Sequence, residues 1–146
     1  MKKLFLILAI SLTGIFAYAQ KKSTTDVPAA VTSKFTSLYP YSKAEDWKKG
    51  KDNYETKFTQ NNTKMCISID PSGNVVKTTT TINTSELPKS VNDYMAKNYA
   101  NEKIVEAGKT IDAYGKINYE AEVKTTRVCF DADGNYVKSE KCKSKV

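Results

Sequence analysis

The chain contains no histidine. That absence removes the commonest general base and the commonest zinc ligand, and with them most hydrolase and metalloenzyme arrangements. Catalysis without histidine runs on paired carboxylates, a Ser-Lys pair or a cysteine with an unusual partner. Glu120 and Glu122 do share one strand face. Exposed strands with alternating charge generate such pairs routinely, so no catalytic residue, cofactor or metal site is expected and the chain reads as a non-enzyme. Cysteine is scarce, and Cys66, Cys129 and Cys142 form no CxxC spacing. Their odd number leaves at least one thiol outside any disulfide within the chain, and they read as buried or half-buried thiols without chemistry.

Long apolar runs are missing after the first residues. Leu4 to Phe16 is the one such stretch, shorter than the roughly 20 residues a membrane span needs. Lys2 and Lys3 precede it and Ala17-Tyr18-Ala19 follows, so residues 1–19 read as a secretory signal peptide, with no cysteine placed for a lipid anchor. The expectation is a soluble bacterial export product, periplasmic or extracellular, with no membrane span after cleavage. Without Lys2 and Lys3 the chain keeps 21 Lys plus Arg against 16 Asp plus Glu, a net charge of +5. Those charges are scattered, with no arginine-rich stripe or clustered basic helix, so no nucleic-acid partner is expected.

What the chain does have is an internal echo. DPSGNVVK at Asp70–Lys77 returns as DADGNYVK at Asp131–Lys138, each time between two strand-like segments. Gly and Asn suit a hairpin loop with positive φ. Upstream, Val27-Pro28 and Leu87-Pro88 each open a helix. The first has apolar residues at Val27, Val31, Phe35 and Tyr39, widened by Ala30 and Leu38, and the second at Leu87, Val91, Met95 and Tyr99. Tyr39-Pro40 ends the first helix. Four strands follow each helix, near 43–48, 53–59, 64–70 and 74–82, then 103–111, 116–124, 126–131 and 135–141. Short turns between them favour antiparallel meanders. The fold class is therefore α+β, two tandem α-β-β-β-β units with one helix packed on each antiparallel sheet. The first unit spans 27–86 and the second 87–146, after a flexible lead-in over 20–26. The mature length suits one compact domain or two halves sharing a core.

Strand alternation assigns the faces. Tyr54, Thr56, Phe58, Ile67, Ile69, Tyr119, Ala121, Val123, Val128 and Phe130 belong under the helices. The open face then carries Glu55, Lys57, Cys66, Ser68, Val75, Lys77, Glu120, Glu122, Lys124, Arg127, Cys129, Tyr136 and Lys138. Cys66 and Cys129 fall in equivalent strands of the two units, too far apart to bond if the sheets adjoin only along outer strands. The β-branched run Thr78–Thr81 is a possible sheet edge. Asp131, Asp133 and Asn135 invite a calcium reading, but an EF-hand needs Glu at its twelfth position, which here is Cys142. A hairpin turn accounts for the same residues.

The signal peptide, the proline-opened helices ending in tyrosine, Trp47 and the duplicated D-x-x-G-N-x-V-K hairpin resemble the PepSY-like family of small exported bacterial proteins, similar to β-lactamase-inhibitor proteins. The resemblance covers about Val27 to Lys141. It implies tandem helix-plus-sheet units with adjoining sheets and a role in binding or inhibiting another protein, with no catalytic residues. Tyr136 and Arg127 are the expected centre of the binding surface, since large semi-rigid groups of this kind make binding hot spots. Lys138, Glu120, Glu122, Lys57 and Lys77 complete it. A small-molecule or glycan binder using a pocket between the units is the alternative reading.

Overall fold

A computed structural model of the protein describes residues 26–142. The signal-peptide stretch 1–19, nearly all of the 20–26 lead-in and residues 143–146 lie outside them.

Proline sets the helix starts. Pro28 and Pro88 have φ of −56° and −52° and stand just ahead of the helical residues. Their carbonyls accept from the N–H groups of Val31 and Thr32, and of Val91 and Asn92. Helix α1 runs Ala29–Leu38 and α2 Lys89–Asn98. Each buries one i, i+4 pair, Val31 with Phe35 and Val91 with Met95. The expected widening of the first stripe by Ala30 and Leu38 fails, for Leu38 is 45% exposed. A helix resting on a single sheet touches it along one line only.

The strands are β1 (Lys48–Lys49), β2 (Tyr54–Gln60), β3 (Thr63–Ile69), β4 (Val75–Ile82), β5 (Ile104–Asp112), β6 (Ile117–Val123), β7 (Thr126–Phe130) and β8 (Tyr136–Lys141), with a 3-10 turn at Thr84–Glu86 ahead of α2. They form one antiparallel sheet in sequence order. Strands β4 and β5 join its halves from Lys77↔Asp112 to Ile82↔Ala107. Thr78–Thr81 is thus interior and not an edge, because β5 returns beside β4 after α2. The expected strand at 43–48 shrinks to Lys48–Lys49, leaving Trp47 outside it. The preceding residues cap β2 instead, with Glu45 N–H donating to the Lys57 carbonyl at 2.8 Å and the Thr56 hydroxyl to the Glu45 carbonyl at 3.0 Å.

Following the register from Phe58 through Met65, Thr80, Lys109 and Tyr119 to Phe130 keeps to one face, so both helices cover the same side. Beneath α1 lies a cluster of Val31, Phe35, Tyr54, Phe58, Ile67 and Ile69. Beneath α2 lie Leu87, Val91, Met95, Ala107, Ala121, Val123, Val128 and Phe130.

Two bulges overturn part of the face assignment. The register shifts between Ser68 and Ile69, so that Ile69 faces Val75, and between Cys129 and Phe130, so that Phe130 faces Tyr136. The extra residues are Val76 and Val137. One inserted residue reverses the parity of what precedes it. Val75 therefore packs against the first cluster. Tyr136 lies on the helix side as well, stacked on Tyr94 of α2 with ring centroids 5.1 Å apart. Lys124 is on neither face, being a turn residue with φ 44°.

Candidate functional site

The face opposite the helices is built by strand alternation and is bare of secondary structure among the described residues. Its centre carries Thr79, Thr81, Gly108 and Thr110 from β4 and β5. These are small side chains, and the hydroxyls of Thr79 and Thr110 bond each other at 2.8 Å. The flanks are taller and charged. On one side Lys77 reaches Glu55 at 3.6 Å, across a fully buried Ser68. On the other, Arg127 reaches Glu120 and Glu122, each at 3.5 Å, and Lys138 pairs with Glu140.

Arg127 is the only arginine in the chain. Partial burial opposes its charge, yet Glu120, Cys142 and Glu122 outweigh that effect and hold its pKa above the ordinary value. Burial, reinforced by Glu55 at Cys66 and by Glu120 and Glu140 at Cys129, raises both thiol pKa values. Burial raises that of Cys142 too. Protonated thiols are poor nucleophiles and poor metal ligands. Strands β3 and β7 stand four positions apart in the sheet, which at strand spacing puts Cys66 and Cys129 roughly 19 Å apart, beyond disulfide reach.

Thr79, Thr81, Glu106, Gly108, Glu120, Glu122 and Arg127 line a shallow depression of ≈ 260 Å³ counted out to open solvent. A Cβ on Gly108 would approach Thr79 Cγ2 to 3.2 Å, so glycine keeps this floor low. Among the described residues, no group of three or more His, Cys, Asp or Glu is arranged to hold a metal ion.

Of the residues expected to bind a partner, Arg127, Lys138, Glu120, Glu122, Lys57 and Lys77 are on this face by register. Lys57 and Lys77 stand across the threonine floor from Arg127. Tyr136 is not with them. Glu106, Gly108 and Glu140 belong to the face and were not among the expected residues, although alternation carried along β5 and β8 would have placed them there.

The family model for PepSY-like proteins, provisionally described as β-lactamase-inhibitor-like, matches residues 17–77 and again 70–138. The chain belongs to the PepSY-like family. Solved structures share the fold of this PepSY-like protein. One, from Bacteroides eggerthii and provisionally described as periplasmic, is 15% identical with a TM-score of 0.68, over 80% of this chain and 90% of that one. Another, from a family of unknown function in Bacteroides uniformis, is 18% identical with a TM-score of 0.66, over 79% and 89%. A BLIP-like protein of Bacteroides fragilis is 18% identical with a TM-score of 0.56, over 83% and 91%. At such identities the likeness is one of fold. No curated protein matches the chain, and no described helix is long and apolar enough to cross a membrane.

Proposed function

We propose that this PepSY-like protein is an exported, non-enzymatic module of two tandem units that binds or inhibits a protein or peptide partner through its open sheet face. The observation that carries this reading is the relief of that face, a low floor of threonine and glycine between charged flanks. Its ion pairs are 19–59% exposed at the side chain. Pairs so exposed add little to folding stability. Their chemistry suits the choice and steering of a partner instead. Export rests on the sequence pattern of residues 1–19 and on the periplasmic description of the Bacteroides eggerthii relative. The alternative pocket for a small molecule or glycan has less to stand on, because the depression, ≈ 260 Å³ even counted out to open solvent, falls below the volume usual for ligand pockets.

Capture from periplasmic or culture extract, with the exported chain as bait, tests the reading when run beside face variants. Arg127→Ala should weaken a captured partner by about 1 to 3 kcal/mol, and Lys57→Ala by under about 1 kcal/mol with strong salt dependence. Tyr136→Ala should leave binding intact. Equal retention by all three variants would move the site off the open face.

A further inference from the structure

The two edges of the sheet are finished differently. At the β1 end the chain itself caps β2, with Glu45 N–H on the Lys57 carbonyl and the Ser42 hydroxyl on the Thr59 carbonyl. At the other end every residue of β8 is exposed. Cys142 N–H donates to the Thr125 carbonyl at 2.6 Å. That bond fixes the phase of the ladder. In an antiparallel pair hydrogen-bonded positions alternate, so Glu140 and Lys138 face Arg127 and Cys129 as bonded pairs, and the N–H and C=O of Ser139 and Lys141 point outward.

We propose that this edge pairs with the same edge of a second copy, antiparallel about a twofold axis at Ser139, so that the sheet continues across the dimer. Charge selects both the occupant and the register. With Ser139 facing Ser139 of the second copy, Lys138 of each chain faces Glu140 of the other, and Lys141 faces Val137. Lys138 and Glu140 already pair within one strand, and both lie on the open face. In the dimer the four charges form a square of alternating sign. The adjacent symmetric registers set Lys138 against Lys138 or Glu140 against Glu140, and like charges directly opposite are destabilising. Lysines on an edge ordinarily repel unselected strands. Here they admit a strand that brings glutamate to the facing position, and a second copy brings it in both directions. Ser139 at the axis is small enough for close approach. A six-residue edge buries less than the roughly 1,200 Å² of a stable complex, so the dimer is weak and concentration-dependent. The inference stands apart from the binding reading, although the pairing would extend the open face across the axis.

Sedimentation equilibrium of the exported chain under reducing conditions, from about 5 to 500 µM, tests it in the affinity range expected of a small interface. The expected result is a monomer–dimer equilibrium. Lys138→Glu and Glu140→Lys should each weaken it about tenfold, because either change turns two facing pairs repulsive. The double exchange should restore it. Ser139→Pro, which removes the central outward N–H at a position where edge strands tolerate proline, should abolish the dimer while circular dichroism stays native. A monomer at every concentration, a dimer indifferent to the single reversals, or a double exchange that fails to recover would each overturn the proposal.

Discussion

At the scale of single residues, Gly73 and Gly134 couple the hairpins to the helices. Both have positive φ, 89° and 82°. Each is pressed against the first turn of its helix, where a Cβ on Gly73 would lie 3.0 Å from the Ala30 carbonyl oxygen and one on Gly134 would collide with the Ser90 hydroxyl. The obstacles differ in kind, for a backbone carbonyl cannot step aside and a serine hydroxyl can. Gly73→Ala and Gly134→Ala should each cost about 1 to 3 kcal/mol in urea denaturation, from the strained φ together with the contact. Adding Ser90→Ala should recover part of the Gly134→Ala loss, although Ser90 Cβ at 3.1 Å and Val91 Cγ2 at 3.2 Å remain close. No recovery would leave the cost to the backbone conformation and the two carbon contacts, or to the loss of the hydrogen bond that the Ser90 hydroxyl donates to the Asp133 carbonyl. The positive φ of the D-x-x-G-N glycines was legible in the sequence. Their seat against the helices was not, since it depends on where the sheet sets each hairpin.

At the scale of elements, the D-x-x-G turn recurs three times. Asp70 Oδ1 accepts from the N–H groups of Ser72 and Asn74, Asp131 Oδ1 from those of Asp133 and Asn135, and Asp112 Oδ1 from those of Tyr114 and Lys116. The third copy, DAYGK, escapes the motif because lysine replaces asparagine. The side-chain and backbone N–H groups of Asn74 hold the Asp70 pKa below its ordinary value, and the backbone and side-chain N–H groups of Asn135 do the same for Asp131. A carboxylate with a depressed folded-state pKa contributes stability above its unfolded pKa and loses it as pH falls through the folded one. Urea midpoints should therefore drop below about pH 4, and less steeply in the Asp70→Asn, Asp131→Asn double variant, whose amide oxygens still accept but carry no charge to lose. Parallel slopes for the two proteins would remove these turns as the acid-sensitive elements. Strand parity was readable wherever alternation ran unbroken, as from Tyr54 to Phe58 and from Tyr119 to Val123. It failed at Val75 and Tyr136. A bulge adds one residue without changing composition, and Val75-Val76 and Tyr136-Val137 give no cue to which of two apolar neighbours faces the helix.

At the scale of the whole molecule, the question is whether the two apolar clusters melt together. They sit under different helices and are joined through the β4–β5 ladder. Cluster size argues for coupling, since six or eight buried residues make a core too small to stand alone. The ladder argues the same way. Releasing either half would leave β4 or β5, strands paired on both sides, with an open row of N–H and C=O groups. Trp47 reports on one side only, as the sole tryptophan, packed in a T-shaped pair with Phe35 at a ring-centroid distance of 5.9 Å in the first cluster. Phe130 is fully buried in the second. Phe130→Ala should cost about 3 to 5 kcal/mol. If the sheet transmits that loss, the Trp47 fluorescence midpoint in urea should fall as far as the far-ultraviolet circular dichroism midpoint, in one shared transition. A Trp47 transition that stays in place while the dichroism splits in two would show instead that the ladder joins the halves in space without making them fold as one.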